Sequence, residues 1–264
     1  MNFLVKNTGK ILITAIILYV AIFSTISIWK YQNFGYNSLD LAVINQTFYN
    51  TAHGDMFASS IHEPSYLGDH FNPILFLLLP FYWLLQSPIT LLVIQSIFLG
   101  LAAWPLYLIS KNIFKDVRLH LLFPIAYLIN PFVHNTNIFE FHFLALGYLI
   151  FFFSYYFYQQ KKFVPFLIFI ILNLFLREDV SLFVFCFGLF ILIDKLLNKE
   201  KIKPNIHWIL SPIILSIIYF FTALKIISFF NPDSGYKFLI YYTWLGSSLG
   251  EIIKNLLFHL PQVV

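Results

Sequence analysis

Apolar positions along this chain come in long unbroken runs, not in strand-like alternation or a single helical stripe. Seven runs stand at 11–29, 89–110, 119–135, 143–158, 163–176, 180–194 and 207–228. A helix rises about 1.5 Å per residue, so roughly 20 apolar residues cross a hydrocarbon layer of about 30 Å. The pattern therefore predicts helices surrounded by lipid or by one another. An eighth run, 73–85, is shorter and is bracketed by Pro73, Pro80 and Pro88. It predicts a re-entrant or interfacial helix and not a crossing. The pairs Asn72-Pro73 and Asn130-Pro131 read as helix-end markers.

Composition agrees with this class. Apolar residues make up 59% and charged residues 11%, with a mean hydropathy of +0.79, against roughly 45–50% and about 25% in soluble domains. The expected fold is all-α: a polytopic transmembrane helical bundle of about seven spans plus the 73–85 helix. No Gly/Ser linker or fixed-period repeat divides residues 1–264, which read as one membrane domain. Its parts are a first span at 11–29, an outer loop at 30–88 with short helices, further spans through 89–228, and an outer tail at 229–264. Lys6 and Lys10 precede the first run and no small-residue cleavage site follows it, which predicts an uncleaved anchor with a cytoplasmic N-terminus. The closing EIIKNLLFHLPQVV points toward another hydrophobic segment, as in an N-terminal part of a larger unit.

Charge then sets the orientation. If 73–85 does not cross, the clusters Lys6/Lys10, Lys111/Lys115/Arg118, Lys161/Lys162 and Lys195/Lys199/Lys201/Lys203 all fall in the cytoplasm of a multi-pass cell-membrane protein. Eleven of the sixteen Lys and Arg then lie inside, while nine of the twelve acids and six of the eight His lie outside. The net charge of +4 is a topology signal here and implies no nucleic-acid partner. The single cysteine, Cys186, excludes a disulfide framework and reads as a small buried hydrophobe. The aromatic stretch 151–158 (FFFSYYFY) reads as a lipid-facing or interfacial belt.

The outer connections hold the candidate chemistry. Asp40 follows turn and cap residues (Gly35, Asn37-Ser38) and falls in the first turn of a short helix, where it either complements the helix dipole or faces a ligand. His62, Glu63, Asp69 and His70 crowd the approach to Pro73; their spacing fits no closed zinc motif, although a divalent cation or a phosphate suits such a set. Glu140 and His142 stand two positions apart, so they diverge on a helix and share a face in an extended lead-in. Arg177-Glu178-Asp179 closes a tight corner, where Arg177 pairs locally or faces outward. Ionisable groups pressed against hydrocarbon are functional candidates by default.

Five stretches in this order, LDLAVINQ, LGDHFNPILFLLLPFYWL, IQSIFLGLAAWPLYLISK, INPFVHNTNIFEFHFLAL and LREDVSLFVF, resemble the predicted membrane-protein family known as domain of unknown function 2079, over roughly residues 35–190. That plan is similar in turn to the GT-C superfamily of membrane glycosyltransferases, which take sugar from a polyprenyl-phosphate donor outside the cytoplasm. The resemblance implies a catalytic carboxylate at Asp40. It further implies substrate or phosphate binding at His70, Arg177 and His142, and a metal position at Asp69 and Glu140 if a divalent cation takes part. Glu140 corresponds only as an acid in the right loop, because no Asp-x-Asp stands there. The implied partners are membrane lipid and a lipid-linked sugar donor. A transporter with proton- or ion-binding acids and a non-catalytic membrane scaffold are the competing classes. The first sits less well with ionisable residues at the ends of apolar runs, away from mid-depth, and the second leaves the first-loop cluster without a role.

Overall fold

The computed structural model describes residues 2–37, 39–62, 64–232 and 237–258. Among them no β-strand forms, and the only bridge is the isolated antiparallel pair Ala58–Ser65. The described residues form twelve α-helices: α1 Asn2–Gln32, α2 Leu39–Ala52, α3 Ile74–Leu84, α4 Pro88–Leu101, α5 Ala103–Ile113, α6 Leu122–Leu128, α7 Pro131–Ile138, α8 Gly147–Gln159, α9 Phe163–Leu174, α10 Val180–Leu197, α11 Ile202–Phe230 and α12 Leu249–Phe258. Short 3-10 turns at Tyr66–Gly68, Val117–His120, Phe143–Leu146 and Lys237–Tyr242 join them.

Hydrogen bonds between helices fix which ends lie together. At one end Thr8 of α1 meets Tyr107 of α5 at 2.9 Å, Asn112 donates to Gln159 of α8 at 3.4 Å, and Tyr158 donates to Asp194 of α10 at 2.5 Å. The basic clusters around Lys10, Lys111, Lys161 and Lys195 accordingly share this end. At the other end Lys30 donates to the Ile138 carbonyl at 2.8 Å, the Ile74 N–H donates to the Phe175 carbonyl at 3.0 Å, and Asn231 donates to the Gly68 carbonyl at 3.4 Å. The chain thus passes from end to end along α1, α4–α5, α6–α7, α8, α9, α10 and α11.

Only part of the expected set of long spans is realised. Four stretches are long and apolar enough to cross a membrane by themselves: Asn7–Gln32, Pro88–Ile113, Val180–Leu197 and Ile202–Phe230. Val117–Leu128, Phe143–Gln159 and Phe163–Leu174 are shorter apolar helices. The 119–135 run is not one helix. The Asn130 side chain accepts from the Phe132 N–H at 2.8 Å and Pro131 takes the first helical position, so a fresh helix, α7, begins in mid-run. The 73–85 run forms α3, 11 residues or about 16 Å long.

Close approach and buried hydrogen bonds hold the passes together, since apolar burial alone gives little drive between helices in lipid. A side-chain carbon on Gly100 would come within 2.6 Å of Val20 on α1, and one on Gly188 within 2.6 Å of Ile213 on α11. Those two contacts need glycine. The fully buried Asn137 on α7 donates to Tyr19 on α1 at 3.0 Å and accepts from Ser96 on α4 at 2.8 Å. Each such bond contributes about 0.6–2 kcal/mol. Cys186 corrects the sequence reading: it is exposed on α10, because in a bilayer an apolar side chain need not be covered by protein. The rings at 151–158 are mostly half-buried and pack on other helices, as Phe151 does on Phe183 at 4.6 Å and Phe153 on Phe169 at 5.0 Å.

Candidate functional site

At the end of the bundle opposite the lysine clusters lies a cavity of about 440 Å³. Four separate stretches of chain wall it: the start of α2, the loop before α3, the lead-in to α8, and the corner between α9 and α10, with Tyr241 of the tail on its rim. Asp40, His62, Asp69, His70, Asn72, His142 and Arg177 all line it.

The start of α2 is held from a distance. The Glu140 carboxylate, 3% exposed, accepts the Leu41 N–H at 2.7 Å. An anion at a helix N-terminus satisfies an otherwise unpaired donor and meets the positive end of the helix dipole. With Glu140 in that role, Asp40 in the same first turn directs its half-exposed carboxylate toward His142, with Oδ2 3.4 Å from Nε2. Glu140 and His142 sit on an extended lead-in, so both reach the same helix start, as the extended alternative required. Ser38 and Glu63 lie outside the described residues.

Gln95 on α4 fixes that lead-in. Its side chain is fully buried. Its amide donates to the carbonyls of Thr136 and Asn137 at 3.1 and 3.2 Å, and its oxygen accepts the His142 N–H at 2.9 Å. His142 Nδ1 lies 2.9 Å from the Glu140 carbonyl, which only accepts, so Nδ1 carries the hydrogen. Nε2 therefore donates to Asp40 only when the ring is an imidazolium.

A second carboxylate–imidazole pair lies across the cavity. Glu178 is fully buried; Oε1 is 2.8 Å from His70 Nδ1, and Oε2 accepts the Phe71 N–H at 3.0 Å. The Asn72 amide donates to the Leu176 carbonyl, which ties the same loop to the corner. A third pair, His62 Nε2 to Asp69 Oδ2 at 3.2 Å, flanks it. Tyr66 packs between the His62 and His70 rings, with centroids 6.2 and 6.3 Å away. Burial, reinforced by the charges of Asp69 and Glu178, pushes its phenol well above the usual tyrosine range. Arg177 forks onto Asp179 through Nε and Nη2. Burial works against its charge, but Asp179, with Glu178 beside it, more than offsets this and holds the guanidinium above its ordinary range.

Of the residues singled out in the sequence, Asp40, Asp69, His70, His142 and Arg177 meet at one cavity, whereas Glu140 supports it from behind and does not line it. Among the described residues no three His, Cys, Asp or Glu side chains come together as metal ligands. Of the two residues named for a divalent cation, Asp69 lines the cavity and faces His62, while Glu140 is engaged at the start of α2. Gln95 and Tyr66 join the site without having been singled out; Asn72 was read only as a helix-end marker, and Glu178 only as a member of the Arg177-Glu178-Asp179 corner. A glutamine inside an apolar run and an acid in a tight membrane-edge corner were the available signals.

Comparison with curated proteins and with solved structures gives no match. A family model does match residues 30–264, well beyond the stretch that carried the motifs. The chain belongs to the family described as predicted membrane protein, DUF2079.

Proposed function

We propose that the cavity binds the phosphate of a lipid-linked sugar and transfers the sugar to a hydroxyl acceptor on the extracytoplasmic side. The observation that carries this reading is the meeting of Asp40, three histidines and Arg177 at one cavity from distant parts of the chain. The acceptor hydroxyl gives its proton to the Asp40 carboxylate as its oxygen bonds to the anomeric carbon. The bond from that carbon to the phosphate oxygen breaks, and its electrons leave with the lipid phosphate. Arg177, His70 and His142 offset the charge on the departing phosphate. One carboxylate suffices, since a phosphate leaves without a general acid. The basic clusters at the opposite end favour a cytoplasmic position for that end and an outer one for the cavity.

The transporter class is less well served. Its ion-binding groups belong near mid-depth, whereas the buried Glu140, Glu178 and Lys195 lie near the ends of the passes. The test is sugar transfer from a synthetic polyprenyl-phosphate sugar, radiolabelled in the sugar, by the purified full-length protein in proteoliposomes. Transfer dependent on Asp40 supports the assignment. Donor binding without transfer to any hydroxyl acceptor offered would overturn it.

A further inference from the structure

Glu178 takes no part in the transfer step itself, yet it is fully buried in the corner between α9 and α10 with both oxygens turned toward the loop before α3. Oε1 lies 2.8 Å from His70 Nδ1, and Oε2 accepts the Phe71 N–H at 3.0 Å. An anion removed from water is costly unless charge and hydrogen bonds replace the water.

Anchoring the loop does not require that anion. Neutral bonds already tie the two stretches together. The Asn72 amide donates to the Leu176 carbonyl, the Ile74 N–H donates to the Phe175 carbonyl at 3.0 Å, and Tyr219 of α11 donates to the Phe71 carbonyl at 3.4 Å. The Phe71 and Phe175 rings pack on Tyr219, with centroids 5.6 and 6.1 Å away. A neutral oxygen would satisfy the Phe71 N–H as well. What Glu178 adds is negative charge at one nitrogen of His70.

That charge decides which nitrogen meets a ligand. An ionised carboxylate only accepts, so Nδ1 carries its hydrogen toward Glu178, and a group in the cavity can hydrogen-bond the ring only through Nε2. Phosphate oxygens likewise accept. Held between a carboxylate and a phosphate, His70 therefore bears a hydrogen on each nitrogen and is an imidazolium between two anions. His142 is arranged the other way, with Nδ1 on the neutral Glu140 carbonyl and Nε2 facing Asp40 at 3.4 Å. A charge on His142 falls to the carboxylate that takes the proton, whereas a charge on His70 is directed at the phosphate.

We propose, on the lipid-phosphate reading above, that Glu178 is a positioning residue: it fixes His70 as an Nδ1–H donor and backs the positive charge that Nε2 presents to the phosphate. Glu178 does not line the cavity and acts through His70.

Three measurements on the full-length protein in detergent test this role. They are retention of radiolabelled farnesyl phosphate with inorganic phosphate as competitor, thermal unfolding, and nitrogen-15 spectra of protein labelled at histidine, in which the His70 signals are those lost in His70→Gln. Glu178→Gln keeps the shape and removes the charge, and its single oxygen cannot serve Nδ1 and the Phe71 N–H together. Retention is expected to weaken about 10- to 100-fold, the worth of one charge-assisted hydrogen bond. In a His70→Gln background the same change should weaken it no further, because its effect passes through the ring. Additive losses would make Glu178 a purely structural group and overturn the proposal. If Glu178→Gln does not fold, the parent spectrum decides: with farnesyl phosphate bound, both ring nitrogens of His70 should carry hydrogen. A bare Nδ1 or a bare Nε2 overturns the positioning role, while retention leaves the functional reading standing. Release of farnesyl phosphate by an equal concentration of inorganic phosphate supports the role of Glu178 and overturns the lipid source. Absence of retention by the parent overturns both.

Discussion

The Glu140 carboxylate accepts the backbone N–H of Leu41 at 2.7 Å, across 99 positions of sequence. The turn that carries Asp40 is thereby anchored to the lead-in of α8, and the same lead-in presents His142 to Asp40. Position and chemistry at this point come from one buried connection, itself braced by Gln95.

Glu140 is expected to matter for folding as well as for placement. Glu140→Ala leaves a buried helix donor without its charged acceptor and costs about 2–3 kcal/mol, whereas Glu140→Gln keeps an oxygen in place and costs about 1 kcal/mol. Thermal unfolding in detergent measures both. Equal tolerance of the two substitutions would show that the connection is not what holds α2.

The two ends of the bundle differ in charge, and this predicts orientation. Met56, 69% exposed in the loop after α2, and Asn112, at the lysine-bearing end of α5, become single-cysteine reporters in a Cys186→Ser background. Met56→Cys should react with an impermeant maleimide on intact cells, and Asn112→Cys only after permeabilisation. The opposite pattern would invert the protein and move the cavity to the cytoplasm.

How far the sequence disclosed this arrangement depended on the range of the interactions involved. Local chemistry was legible in Asp40 in a first turn and Pro73 before α3, whereas the spacing of Glu140 and His142 left a helix and an extended lead-in equally open. The break inside 119–135 was legible in part, since Asn130-Pro131 reads as a helix end, but its consequence for a continuous apolar run depends on neighbouring helices that meet the freed backbone. Glu178 was visible as an acid in the 177–179 corner, but its role was hidden because it is set by His70 and Phe71, more than a hundred positions away. Cys186 was misplaced because lipid removes the usual link between apolar character and burial by protein.

Tyr66 gives a pH dependence of known sign. Burial, then the charges of Asp69 and Glu178, raise its folded value above the unfolded value of 10.0. A raised value means that its contribution to stability is complete below about pH 10 and is lost above it, as the unfolded chain ionises and the folded chain does not. Tyr66→Phe should flatten this alkaline loss by about 1.4 kcal/mol per pH unit. Denaturation followed from pH 9 to 11 for both proteins checks it, and parallel curves would place the Tyr66 phenol in solvent.

Asp40→Asn separates the two roles open to this carboxylate. The change keeps the side-chain shape and an oxygen acceptor, and the helix start remains capped by Glu140. Loss of an exposed charge near a helix terminus should therefore cost no more than about 1 kcal/mol of stability. If Asp40 takes the acceptor proton, turnover of a lipid-phosphate sugar should fall by about 10²–10⁴ while donor affinity is nearly unchanged, because the carboxylate acts in the transition state and not in holding the phosphate. Donor retention, turnover and thermal unfolding measured on the same preparation distinguish these outcomes. A slightly destabilised variant that still transfers sugar at the parent rate would reduce Asp40 to a partner of His142 and leave the proton without an acceptor in this cavity.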